Sequence, residues 1–184
     1  MMSPSERQKG FTLIEMMIVV AICTVIAGGI FLALQAGQTQ TGVADLKMML
    51  QDSAREAIYK MVQEIRQSAP SKITIGAGGN SIQFEFPDPT APVDGSYNID
   101  WDSAHTLTYA LGGTGSQIIR TDSDAGTTQI LANDVVDIDF TGNSGQPTLV
   151  TITVSVQRTF TNGRVVPDSP LAVLGQAEVR NVSS

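Results

Sequence analysis

From Met16 to Ala44 the chain carries no formally charged residue, and Phe11–Leu34, FTLIEMMIVVAICTVIAGGIFLAL, holds a single charge, Glu15. No other feature limits the fold as strongly. The 19 residues Met16–Leu34 would rise about 28 Å as a helix, close to a bilayer core of about 30 Å. The run is apolar on every face, so it is not the one-sided helix of a soluble surface. A cleaved secretory signal would have a shorter apolar region and a small-x-small site, and Leu34-Gln35-Ala36 is a poor one. A buried core helix would be shorter and less uniform. A plain membrane anchor accounts for the length but not for a carboxylate four residues inside the run. Arg7 and Lys9 precede the run and the next basic residue is Lys47, which predicts a cytoplasmic N-terminus with the remainder across the membrane.

A carboxylate within a bilayer costs about 2.5–3.5 kcal/mol on insertion scales, so Glu15 needs a partner. Lys9-Gly10-Phe11-Thr12-Leu13-Ile14-Glu15 ahead of an uninterrupted apolar helix resembles the class III signal of type IV pilins and type II secretion pseudopilins. The resemblance implies that prepilin peptidase cuts between Gly10 and Phe11 and methylates the new amine of Phe11. Glu15 then lies one turn from that amine. It can neutralise its own chain's amine or that of a neighbouring subunit; the family resemblance favours the neighbour, which would set an axial stagger. Gly10 adds little bulk beside the scissile bond. Cys23 is a small packing residue. Gly28-Gly29 weaken the helix interior; they mark either a segment that unwinds in a fibre or close helix packing.

The helical pattern continues beyond the apolar run. Leu46, Leu50, Ala54, Ala57, Ile58, Met61 and Ile65 fall on one face. Asp52–Arg55 and Glu56–Lys60 have the spacing of helix-surface ion pairs, Gly37 and Gly42 predict a bend, and Pro70 supplies the stop. Only Pro4 precedes Pro70, whereas twelve of the seventeen Gly follow it. There the period changes to two: Ile73/Ile75, Ile82/Phe84/Phe86, Tyr97/Ile99/Trp101, Leu107/Tyr109/Leu111, Val136/Ile138/Phe140 and Val150/Ile152/Val154/Val156. Such alternation predicts an antiparallel sheet with one buried face, and Thr161-Asn162-Gly163-Arg164 predicts a tight hairpin.

The expected architecture is α+β, a pilin lollipop. A long N-terminal helix, membrane-spanning in its first half and amphipathic in its second, packs on an antiparallel β-sheet head. Its divisions are a leader at 1–10, a transmembrane and assembly helix at 11–38, and a periplasmic head at 39–184, helical to about 69 and then β-sheet. Leu131-Ala132-Asn133-Asp134-Val135, Leu149–Val154 and Ala177-Glu178-Val179-Arg180-Asn181 resemble J-type pseudopilins and W-type minor pilins.

A formal charge of −7 and a pI near 4.5 disfavour nucleic-acid binding. One Cys precludes an intrachain disulfide, and one His, His105, precludes a two-His metalloprotease motif. No Ser-His-Asp set or phosphate loop is present, so the chain is read as a structural subunit and not an enzyme. No cofactor is expected, with calcium the one candidate. Asp122-Ser-Asp124-Ala-Gly126 is a truncated relative of a calcium loop, which makes Asp122 and Asp124 candidate ligands. Asp88, Asp94, Asp100 and Asp102 form a second acidic stretch. A solvated turn is the expectation at both.

The implied function is a minor pilin or pseudopilin that is cleaved, N-methylated and assembled into a type IV pilus or type II secretion pseudopilus at or near the tip. The alternative is a membrane-tethered periplasmic binding domain that does not polymerise. The implied partners are prepilin peptidase, other pilin or pseudopilin subunits and the inner-membrane assembly platform.

Overall fold

The computed structural model describes residues 12–88, 90–101, 104–143 and 146–179. Helix α1 runs Leu13–Ile65 without a Pro or a charged cluster to interrupt it. The chain divides into two compact units, Met1–Ala44 and Asp45–Ser184, and α1 contributes to both. In the first unit, helical structure passes unbroken through Gly28, Gly29, Gly37 and Gly42. A Cβ at any of the four would meet open space, so no contact within the chain demands glycine there.

In the second unit, α1 ends at Ile65, short of the boundary near 69 expected from Pro70. Pro disfavours helical backbone at the residue before it, and Ala69 is extended at φ −105°, ψ 149°. The helix therefore closes earlier, through Gln67 N–H to Glu64 C=O at 3.0 Å and Ser68 N–H to Ile65 C=O at 3.1 Å. Pro70–Lys72 form a single 3-10 turn. The expected stripe is the buried face: Leu50, Ala54, Ala57, Ile58, Met61 and Ile65 lie in the core, with Leu46 packed against it. The two surface ion pairs do not form. The ion pairs among the described residues are Lys72–Glu85, His105–Asp122, Glu64–Arg120 and Asp134–Arg158. Lys60 instead donates to Gln129 Oε1 at 2.7 Å.

The strands make two antiparallel sheets where alternation predicted one. The first is β1 (Ile73–Ile75), β2 (Ser81–Phe86), β3 (His105–Gly112), β4 (Gln117–Asp122) and β5 (Thr127–Asn133), in that order. The second is β6 (Val135–Gly142), β7 (Leu149–Thr159) and β8 (Val165–Glu178). The break falls at Asp134, which turns the chain through the left-handed region at φ 59°, a conformation Asp tolerates better than most residues. Its carboxylate meets Arg158 at 3.3 Å, and its carbonyl accepts Gln157 N–H at 2.9 Å. A bulge between Val135 and Asp137 then shifts the phase of β6. Val135, Ile138 and Phe140 are buried while Val136 is exposed.

Inner faces of both sheets meet the α1 stripe. Phe84 stacks on Tyr109 with ring centroids 5.8 Å apart, and Ile82, Leu107, Ile118, Ile152 and Val154 are fully covered. A Cβ at Gly175 of β8 would lie 2.2 Å from Ile58 Cγ2, so the strand passes α1 closely there. The β7–β8 hairpin closes through Phe160 N–H to Arg164 C=O at 2.8 Å, with Gly163 at φ 78°. A single positive φ beside three loop residues is the type I turn with a glycine bulge.

Tyr97/Ile99/Trp101 is not a strand. It lies in the connection between β2 and β3, whose ladder is one bridge, Val93–Ile99. Pro87 and Pro92 remove backbone donors, and the Asp94 carboxylate takes the N–H groups of Ser96 and Asn98 at 2.7 and 2.9 Å. Local side-chain bonding thus replaces sheet pairing.

One buried polar group has no counterpart among the sequence expectations. Glu64 of α1 accepts from Arg120 Nε at 3.0 Å and from the Tyr109 hydroxyl. The Glu64 and Arg120 side chains are only 14% and 16% exposed. Burial, followed by the Glu64 carboxylate, pushes the Tyr109 hydroxyl far above its ordinary titration range.

Candidate functional site

The N-terminal end of α1 holds the residue types that the apolar run makes unusual. Thr12 precedes the first helical residue, and its backbone N–H and hydroxyl both donate to Glu15 Oε2 at 3.0 Å. Glu15 N–H donates back to Thr12 Oγ1 at 3.2 Å. This reciprocal arrangement is a capping box: two of the unpaired donors at the helix start find side-chain acceptors. The Thr-x-x-Glu spacing ahead of an apolar run is its sequence signature, although the sequence reading assigns Glu15 only to an amine. The carboxylate is thus satisfied locally, beside the residue that follows Phe11. Gly10 and Phe11, the expected processing site, lie outside the described residues, as do Arg7 and Lys9.

Every residue from Thr12 to Gln38 is exposed, Cys23 included. The first part of α1 is long and apolar enough to cross a membrane. Thr24 and Thr41 direct their hydroxyls to carbonyls four residues back, Val20 at 2.7 Å and Gly37 at 2.9 Å, so neither leaves a polar donor facing outward. From Leu13 to Leu34 what remains on the surface is an apolar sleeve with one carboxylate near its start.

The candidate calcium ligands are already engaged. Asp122 is 6% exposed; its Oδ1 accepts Ala125 N–H at 2.9 Å and its Oδ2 lies 3.1 Å from His105 Nδ1. Asp124 Oδ2 accepts Thr106 N–H at 2.6 Å. Asp88 and Asp94 cap their own loops, and Asp102 lies outside the described residues. Among the described residues, no group of three or more His, Cys, Asp or Glu side chains is placed to hold a metal ion.

His105 belongs to this network. It opens β3, with its side chain 27% exposed. The hydrogen bond to Asp122 raises its pKa, burial opposes this, and the charges of Asp122, Asp88 and Asp124 add to the rise. Burial pushes Asp122 up, but the Ala125 N–H and His105 outweigh it, and the net shift is downward. The two shifts bound a pH window. A raised His pKa contributes stability that is complete below about 6.5, its unfolded value, and is lost as pH rises through the folded value. A lowered Asp pKa contributes stability present above about 3.9 and lost as pH falls through its folded value. Stability at about pH 5.5 is therefore expected to exceed that at about pH 8 by about 0.2–1 kcal/mol, the range for a partly exposed pair. His105→Gln should flatten that difference in thermal melts; an unchanged pH profile would assign it to other groups.

Comparison with known families matches residues 6–31 to the prokaryotic N-terminal methylation motif. The match spans Gly10, Phe11, Thr12 and Glu15, and it supports the reading of this segment as a type IV pilin or pseudopilin signal. No curated protein and no solved structure matches the chain.

Proposed function

We propose that this chain is a prepilin-like structural subunit, a minor pilin or pseudopilin. It is cleaved between Gly10 and Phe11, methylated on the Phe11 amine, and moved from the inner membrane into a type IV pilus or type II secretion pseudopilus near its tip. In this reading the N-terminus is cytoplasmic and the head periplasmic. Prepilin peptidase, other pilin or pseudopilin subunits and the inner-membrane assembly platform are its partners, and it performs no catalysis. The observation that carries the reading is the methylation motif at residues 6–31 running into the Phe11–Leu34 span, whose one charge is Glu15. An apolar sleeve that is stable in lipid and able to pack on its own kind gives a reservoir and a polymer interface in one segment.

The test is Gly10→Val. A β-branched residue beside the scissile bond should leave the precursor uncut in the membrane, and N-terminal sequencing of the wild-type chain should begin at Phe11. Exposure of Phe11 at wild-type levels in the variant would reject the assignment.

One observation favours a second reading, a membrane-tethered binding domain that does not polymerise. The capping box satisfies Glu15 with no neighbour present. Fractionation separates the two: a tethered domain stays with membranes and is not recovered in sheared fibres.

A further inference from the structure

The outer margins of the two sheets are β5 and β8, and the sequence treats them differently. Strand β8 carries Pro167, Asp168, Pro170 and Glu178, and prolines and charges are the devices that blunt an open edge. Strand β5, Thr-Thr-Gln-Ile-Leu-Ala-Asn, has neither a Pro nor a charge. Thr127, Thr128, Gln129 and Ile130 are exposed in succession, so both faces of the strand are open at this margin.

Register determines which backbone groups of β5 face outward. Ser123 N–H donates to Thr106 C=O at 3.0 Å, one position beyond the Leu107–Asp122 pair. Bonded pairs alternate along an antiparallel ladder, so Thr121 directs its backbone groups to β3, while Arg120 and Asp122 direct theirs to β5. Their partners are Gln129 and Thr127. Thr128 and Ile130 therefore point their N–H and C=O groups away from β4, to the side on which β5 has no strand. Among the described residues, no backbone group outside β4 bonds β5.

Beside this margin runs a groove of about 190 Å³ between a helix and the edge strand, lined by Glu56, Ala57 and Lys60 of α1 and by Gln129, Ile130 and Leu131 of β5. Lys60 reaches the strand, donating to Gln129 Oε1 at 2.7 Å, and it belongs to none of the ion pairs among the described residues. We infer that this groove takes an extended segment of a partner polypeptide, added to the first sheet outside β5, with a carboxylate side chain opposite Gln129 that meets Lys60. Outward strand groups bind by backbone hydrogen bonds, which an extended chain supplies and a compact ligand does not. A residue opposite Gln129 lies on the same face of the sheet, which is the face toward Lys60. A second copy's β5 would satisfy the same backbone groups, but a two-fold axis at Gln129 would set Lys60 beside Lys60, and like charges so placed repel. The proposed role in a fibre is not a premise here.

The experiment uses the full chain in detergent and reads amide hydrogen exchange by NMR. The probes are blocked peptides Thr-Val-X-Val-Thr with X as Glu, Gln or Lys, and the Glu peptide with its amides N-methylated. At saturation the Glu peptide should slow exchange at Thr128 and Ile130 about tenfold or more, with a smaller change at Thr127 and Gln129, which already bond β4. Affinity should fall in the order Glu, Gln, Lys, and about tenfold on N-methylation. Lys60→Glu should reverse that order. Thr128→Pro removes an N–H that bonds nothing in β4 and should weaken every peptide about tenfold or more. The assignment is overturned by equal affinity of the three peptides, by preference for Lys in the wild-type chain, or by undiminished binding of the N-methylated peptide. Protection at β8 instead, or nowhere, overturns it as well. Protection of Thr128 and Ile130 without peptide would make the occupant a second copy if it depends on protein concentration and the chain itself if it does not; either rejects a partner strand.

Discussion

Glu15→Leu is expected to insert in the membrane, to be cleaved normally, and then to fall about 30-fold or more in sheared fibres relative to processed chain in membranes. That factor corresponds to about 2 kcal/mol, the low end of what truncating one partner of a buried charge pair costs. The argument rests on where Glu15 sits. Its carboxylate closes a capping box with Thr12, so a lone helix has no need of a second chain to satisfy it. If capping were its whole role, Thr12→Val and Glu15→Leu would act alike, each weakening the first turn by about 0.5–2 kcal/mol with little effect on incorporation. If Glu15 meets the Phe11 amine of a neighbour, the two variants part. Thr12→Val should keep incorporation within about threefold, because the charge pair, worth more than a cap, survives. Equal incorporation of Glu15→Leu and wild type would remove the intersubunit role.

The second large effect is on the fold. Glu64→Leu should destabilise the folded head by about 3–5 kcal/mol, because it strands Arg120 and deprives the Tyr109 hydroxyl of its acceptor. Both lie against the core, Tyr109 fully buried and Arg120 16% exposed. Glu64→Gln keeps an acceptor for Tyr109 and should cost less, about 1.5–3 kcal/mol for weakened bonds to a charged group. Replacing the whole set, Glu64→Leu with Arg120→Met and Tyr109→Phe, should restore most of the loss, since no buried polar atom is then left without a partner. Urea titrations followed by far-UV circular dichroism would measure all three. A small effect for Glu64→Leu alone would show that water reaches Arg120 in its place.

Local periodicity exposes much of this molecule and long-range pairing little of it. The α1 stripe from Leu46 to Ile65 is readable because helical spacing and burial have the same period. The β7 alternation from Val150 to Val156 is readable for the corresponding reason. The division into two sheets is not, because it turns on one left-handed residue, Asp134, and Asp also occurs in ordinary turns. The bulge after Val135 likewise moves burial from Val136 to Val135 without a sequence mark. Tyr97, Ile99 and Trp101 alternate as a strand would, but the Asp94 carboxylate captures the backbone donors first. Glu64, Tyr109 and Arg120 stand 45 and 56 positions apart, beyond any local pattern. The capping box is different: Thr12-x-x-Glu15 stands in the sequence, but a carboxylate inside an apolar run points to a charge partner before it points to a cap.

One consequence of α1 being shared by both units is mechanical. Because α1 runs on from Ala44 to Asp45, tension on the backbone of residues 12–44 passes into the helix of the second unit. It arrives along the backbone of the helix whose buried stripe begins at Leu50 and ends at Ile65. To be extracted, that helix must slide against both sheets with all of its contacts strained together, a shearing mode rather than an unzipping one. The Glu64–Arg120 link stands at the far end of the stripe, where it is strained together with the rest. A close contact lies midway, at Ile58 over Gly175, and side-chain interlocking there opposes axial slip. The head is thus built as a cleat: its packing holds the helix from Leu50 to Ile65 against axial slip along its whole buried length.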